Sequence, residues 1–207
     1  MRLLALLGGI LTLLPSTTTA FPNITAPLLP WRITRVVASS ANAYTGSHPY
    51  SNISFTISDP NRITVAPPDQ YRKIEFPPTT ADCFVYWQSY SEDPRKADFP
   101  PNTCSPISSG KWTFDIREGN INIGVRGTAV TRNFVAVVRL SEAVVLESGG
   151  VWQHKYEGRA SFAVTWNLVV VCEGDGTCSN KLMEEKRPVL VEQKLVEAKC
   201  IIGDCDI

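Results

Sequence analysis

Lys111-Trp-Thr-Phe-Asp-Ile-Arg-Glu-Gly-Asn-Ile-Asn-Ile-Gly-Val-Arg126 decides the fold class. Trp112, Phe114 and Ile116 alternate with Lys111, Thr113, Asp115 and Arg117; after Glu118-Gly119-Asn120, Ile121, Ile123 and Val125 alternate with Asn122, Gly124 and Arg126. A period of two puts one set of side chains on each face of an extended chain, and a glycine-containing three-residue link joins two such chains as a β-hairpin.

The same signal recurs on both sides. Upstream, Trp31, Ile33 and Val36-Val37 suggest a first strand, and Ile53, Phe55 and Ile57 alternate with Ser54, Thr56 and Ser58 until Asp59-Pro60. Short edge strands are expected at Ile63–Val65 and Lys73–Phe76, in a segment punctuated by prolines. Cys83, Val85 and Trp87 share a face of a further strand. Residues 91–110, polar and proline-rich, read as a long loop. Downstream, Phe134–Leu140, Ala143–Leu146 and Val151–Tyr156 continue the pattern, with Gly149-Gly150 as a turn. Phe162, Val164, Trp166, Leu168, Val170 and Cys172 then fall on one face of a single long strand, whose apolar opposite face suggests a central position covered on both sides. No helical period occurs before residue 180. The expected class is all-β: an antiparallel β-barrel or sandwich.

The ends differ from this body. Residues 1–20 have Arg2, an apolar run from Leu3 to Leu14, Pro15, and small residues before Phe21, the order of a secretory signal peptide. That run is too short for a membrane span, which needs roughly 20 residues. Residues 21–30 hold three prolines and read as an extended arm. The β domain is expected over 31–178. Residues 179–207 read as a C-terminal extension tied on by cysteines, with Leu190, Lys194 and Glu197 at helical offsets. A helix is expected there, with a strand at Val189-Leu190-Val191 as the rival reading.

The mature part carries all six cysteines: Cys83, Cys104, Cys172, Cys178, Cys200 and Cys205. An even count behind a leader is read as a disulfide framework rather than zinc, since secreted thiols oxidise and Cys172-x5-Cys178 is wider than the usual spacing of structural zinc pairs. Cys83–Cys104, closing the long loop, is the favoured pair. For the other four, two short local loops compete with cross-links between the tail and the long strand, and the cross-links are expected. Asn23-Ile-Thr and Asn52-Ile-Ser are N-glycosylation sequons.

The whole chain has 20 basic and 20 acidic residues; loss of Arg2 leaves 19 against 20. With no basic cluster, neither nucleic acid nor an anionic membrane is an expected partner. The two histidines, His48 and His154, come without a nucleophile elbow or metalloprotease helix. His48 sits in a loop before Pro49, and His154, between Gln153 and Lys155, is expected to face solvent. A secreted hydrolase would need one of them beside a carboxylate or nucleophile. No catalytic residue, metal ligand or cofactor is therefore assigned. Most tryptophans fall on inward faces. Trp87, at the mouth of the long loop, joins Tyr86, Tyr90 and Phe99 as the candidate binding surface.

The feature order resembles a fungal secreted β-barrel family typified by the Alternaria major allergen and related cell-death elicitors. The matching pieces are the leader, the opening Trp31-Arg-Ile-Thr strand, Asn52-Ile-Ser-Phe-Thr-Ile57, a mid-chain cysteine pair around a loop, and a late strand running into a cysteine. This chain is longer, has two additional cysteines in a charged tail, and lacks an early cysteine. The resemblance implies an antiparallel barrel, sometimes dimeric, with a non-enzymatic role at a host or cell-wall interface; no site residue carries over by position. The expected protein is secreted and extracellular, with a host or cell-wall protein as partner. Its rivals are a carrier of a small apolar ligand and a secreted hydrolase.

Overall fold

The computed structural model describes residues 27–40, 50–65, 74–88, 102, 104–119, 130–146, 149–174, 178–203 and 205. Twelve strands are described: β1 (Trp31–Ser39), β2 (Tyr50–Asp59), β3 (Ile63–Val65), β4 (Ile74–Phe76), β5 (Thr79–Gln88), β6 (Gly110–Glu118), β7 (Asn133–Val145), β8 (Val151–Ala163), β9 (Leu168–Cys172), β10 (Cys178–Leu182), β11 (Val189–Val191) and β12 (Gln193–Ile202). The first sheet runs β5-β2-β1-β10-β9, with β11 also on β1; the second runs β12-β8-β7-β6, and β3 with β4 forms a small third sheet. Every pairing is antiparallel. The all-β expectation holds.

The two large sheets face each other across one core, in the manner of a sandwich. Trp31 of the first sheet meets Trp112 of the second edge-on at 4.7 Å between ring centroids, and Phe55 meets Phe114 in the same way at 5.0 Å. Edge-to-face rings fill the space between sheets and add to the burial of large apolar side chains. Strand β1 keeps its apolar face inward through a bulge. The register shifts between Ile33 and Arg35, Thr34 and Arg35 both face solvent, and Val36 and Ala38 return to the core. At Gly149, φ is 80°, a conformation glycine adopts freely, and the turn closes with Leu146 N–H donating to the Gly150 carbonyl at 2.8 Å.

Two expectations are corrected. The single long strand over 162–172 is two strands belonging to different sheets. Chain direction changes at 164–167, where Asn167 Oδ1 accepts from Ala163 N–H at 3.0 Å and its amide donates to the Ser161 carbonyl at 3.0 Å. Trp166, expected inward, projects from this turn and is 52% exposed. The expected tail helix is also absent. Only a 3-10 turn, Glu184–Lys186, interrupts β10, β11 and β12, so the tail is woven into both sheets. Gly158 permits the passage from β11 to β12. A Cβ there would lie 2.7 Å from Val191 Cγ1 and 2.9 Å from the Glu192 carbonyl oxygen. No described helix is long and apolar enough to cross a membrane.

The expected arm meets the fold at its inner end. Leu28 packs on the core, and the Leu29 carbonyl accepts from the side chains of Asn61 and Gln193, both at 2.8 Å. The second half of the deciding hairpin, Ile121–Val125, lies outside the described residues. Strand β6 pairs along its whole length with β7.

Candidate functional site

The six cysteines form three disulfides: Cys83–Cys104, Cys172–Cys178 and Cys200–Cys205. The favoured first pair is correct. For the other four the local loops prevail over the expected cross-links, because β9 and β10 pair with Cys172 directly opposite Cys178. Once those strands are neighbours, the two thiols are held within disulfide reach. Three disulfides indicate an oxidising, extracellular-type environment.

Of the candidate binding surface, Tyr86 points outward on β5, whereas Trp87 is buried at 4% exposure and belongs to the core. Its alternation with Cys83 and Val85 places it there. Tyr90 and Phe99 lie outside the described residues, as do Asn23 and His48. Asn52 is on the outward face of β2, opposite Tyr86.

His154 does not face solvent. It is 3% exposed, and Nε2 lies 3.0 Å from Glu142 Oε2, with Glu142 itself 2% exposed. The signal was present in the sequence: Trp152, His154 and Tyr156 alternate with Gln153, Lys155 and Glu157, so the histidine shares the inward face. Glu142 sits directly opposite on β7 and also accepts from Ser109 Oγ, while Phe76 of β4 covers the imidazole at 4.1 Å. From the first sheet Asp59 enters the same region, 4% exposed and accepting from the backbone and side chain of Asn61. Burial raises the Asp59 pKa, the Asn61 hydrogen bonds offset part of the rise, and the charge of Glu142 adds to it. Burial, followed by the charges of Asp59 and Glu142, also raises the Tyr156 phenol.

This cluster contains a hydroxyl, a carboxylate and an imidazole, but in the wrong order for nucleophilic catalysis. A triad places the histidine between hydroxyl and acid so that it can take the proton. Here Glu142 occupies the middle, holding Ser109 and His154, and the burial of Glu142, His154 and Tyr156 keeps substrate from them. What the arrangement does is structural. It pairs Ser109, Glu142 and His154 inside a core, where an unmade hydrogen bond is costly, while the neighbouring Tyr156 hydroxyl has no hydrogen-bond partner among the described residues.

The sheet edges offer a different kind of site. Asn102, Cys104 and Ser105 bridge β5 and β6: Ser105 N–H donates to the Asp82 carbonyl at 2.8 Å, Cys104 N–H to the Trp112 carbonyl at 3.1 Å, and Phe114 N–H to the Asn102 carbonyl at 3.0 Å. Both edges are thereby bridged at Asp82–Cys83 and at Trp112–Phe114. The β12 edge is charged, and Glu197 bridges Lys155 and Lys199, whose hydrogen bonds lower its pKa. The β9 edge has neither protection. Its sequence is Leu-Val-Val-Val-Cys, Val169 and Val170 are 42% and 46% exposed, Trp166 stands at its start, and among the described residues only β10 pairs with it. Natural sheets blunt such edges with charge, proline or cover; an apolar bare one is a template for another strand. The expectation of a central strand concealed this site.

No family model, no curated protein and no solved structure matches this chain.

Proposed function

We propose that this chain is a secreted, non-enzymatic binding protein that acts at a host or cell-wall interface, as the fungal effector and allergen-like proteins it resembles do. In this reading it takes hold of a partner protein by adding an extended segment of that partner to the edge of β9. The observation that carries the reading is the unequal finish of the described edges: β5 and β6 are bridged by hydrogen bonds from Asn102, Cys104 and Ser105, β12 sets the Glu197 ion pairs among its exposed Val196, Ile201 and Ile202, β11 is only three residues long, and β9 has no charged residue and pairs with β10 alone among the described residues. Backbone hydrogen bonds along such an edge supply affinity, and side-chain pockets beside it supply selectivity. Trp166 is well placed to be such an anchor, since exposed tryptophans are enriched where interfaces draw most of their energy. The leader and the three disulfides support an extracellular place of action. The Trp31–Trp112 and Phe55–Phe114 contacts fill the space between the sheets, which favours an outer surface over an internal cavity for an apolar ligand.

The test places a photo-crosslinking residue at position 170 of the purified, oxidised protein and infiltrates it into plant tissue. The expected result is one identified host or cell-wall protein joined at β9, with slowed amide exchange over residues 168–172 in the complex. Absence of any complex or defence response, or protection confined to another part of the surface, overturns the proposal.

A further inference from the structure

We propose that Asn52 carries an N-linked glycan whose first N-acetylglucosamine packs on the aromatic patch formed by Tyr86, Tyr50 and Phe84. The inference rests on the reading that the chain is secreted. Strand β2 alternates strictly, so Ser51, Ile53 and Phe55 are buried while Asn52 and the sequon hydroxyl Ser54 share the outward face. Register puts Asn52 opposite Tyr86 on β5 and opposite Ser39 on β1, with Phe84 opposite Ser54. Directly opposed residues of an antiparallel pair have Cβ atoms about 4.5–5.5 Å apart. A sugar joined to Asn52 therefore begins beside an aromatic ring on one side, with the small side chains of Ser39 and Ser54 leaving room on the others.

The rings form one cluster. Tyr86 meets Tyr50 at 5.7 Å and 89°, and Phe84 at 5.7 Å and 38°. Phe84 and Tyr50 are nevertheless 53% and 43% exposed, apolar area that the folded chain leaves in water. Aromatic faces are negative, and the C–H hydrogens of a pyranose face are weakly positive, so the two stack favourably while the sugar hydroxyls stay hydrated. The second sheet is built differently: Arg139 links Asp115 at 2.7 Å and Glu157 at 3.0 Å, and among the described residues its strands carry no large exposed aromatic side chain.

The covalent step uses an oligosaccharide carried on a polyprenyl diphosphate. The bond from Asn52 Nδ2 to sugar C1 forms, the C1–O bond to the diphosphate breaks, and one amide proton is lost to solvent as the lipid diphosphate leaves. Since β2 lies between β1 and β5, transfer precedes strand pairing.

The full chain with its own leader is expressed in a eukaryotic secretory host, in an Asn23→Gln background so that the Asn52 sugar is read separately. Peptide masses report occupancy of Asn52, and endoglycosidase trimming leaves a single sugar. Trimmed protein is expected to melt about 2–4 °C above the Ser54→Ala protein, which lacks the sequon. That difference should vanish when Tyr86→Ser is added, and Tyr50→Ser should diminish it from the other ring. An unmodified Asn52 in the secreted protein, or an equal difference with and without the rings, overturns the proposal. Retention inside the cell overturns the secretion reading instead, and the same chain behind a foreign leader then tests the sugar by itself.

Discussion

On one flank of the sandwich, Asn102, Cys104 and Ser105 join the edges of β5 and β6, and the Cys83–Cys104 disulfide fixes that join from within the core. On the other, β9 ends the first sheet with exposed valines, and its disulfide merely staples β9 to β10. Both flanks use the same bond between adjacent backbones. One use closes an edge over a loop of 21 residues, and the other stiffens an edge that stays open over a separation of 6. The difference separates a disulfide that holds the fold together from one that holds a surface in shape.

Removing each bridge in turn should give unequal losses. In a chain-entropy account the 21-residue closure contributes about 3 kcal/mol and the 6-residue closure about 2 kcal/mol. The Cys83→Ala/Cys104→Ala protein should lose more than that difference implies, because Cys83 is 1% exposed and the removal also loosens the cover on two edges. Denaturant midpoints of the two double variants measure this directly. If the Cys172→Ala/Cys178→Ala protein proves equally or more destabilised, the contrast between the flanks collapses.

The next effect is a slope with pH. Glu142 lies close to the covered flank, where the neighbouring Ala143 N–H donates to the Ser109 carbonyl, and Asp59 faces it from the first sheet. The folded-state pKa of Asp59 is raised, so between the unfolded carboxylate range, about 4, and that raised value the folded state binds more protons. Asp59 therefore makes the fold lose stability as pH rises through that window. Glu197 on β12 acts in the opposite sense: its lowered pKa stabilises above the unfolded value and is lost as pH falls. Asp59→Asn keeps the Oδ1 acceptor for Asn61 and removes the charge. Relative to wild type it should gain most at neutral pH and least in acid. Melting temperatures across that range decide it; a difference independent of pH would show that Asp59 is not held in the charged, buried state.

What the sequence made legible follows the same division. Where alternation was clean, as in β2 and β6, residues and faces were read correctly, and the Cys83–Cys104 closure followed from the loop between those cysteines. On β5 the shared face of Cys83, Val85 and Trp87 was legible, yet Trp87 was assigned to a binding surface although it is buried with them. Alternation failed where it continued through a change of direction. Val164 and Trp166 keep the period of two while Asn167 turns the chain, so the end of β8 from Phe162 and the whole of β9 read as a single central strand. In the tail the reverse occurs. Leu190, Lys194 and Glu197 read as helical offsets, but Leu190 lies on β11 and the other two on β12, where bulges between Leu195 and Glu197 and between Cys200 and Ile202 break the period of two. The buried polar cluster was half legible. The inward phase of His154 is written in its neighbours, but its partner Glu142 is supplied by register with β7, which spacing along one strand does not reveal.

The smallest expected effect on stability falls at the open edge, and it is the sharpest test of what that edge is for. Val170 lies opposite the buried Asn180, so its side chain points along the inner lip of the sheet, yet it remains 46% exposed because the strand overhangs the core. A lysine there can extend into water, and an exposed substitution of this kind changes stability by about 0.5 kcal/mol or less. An inward-pointing charge on an edge strand is also a device by which natural sheets refuse an added strand. Val170→Lys should therefore leave the unfolding midpoint nearly unmoved and abolish capture at β9. If capture survives the lysine while the fold is intact, the partner is held elsewhere, and β9 is open only because nothing selects against it. If the unfolding free energy falls by about 2 kcal/mol or more, Val170 belongs to the core after all, and the flank that distinguishes this molecule is not a surface.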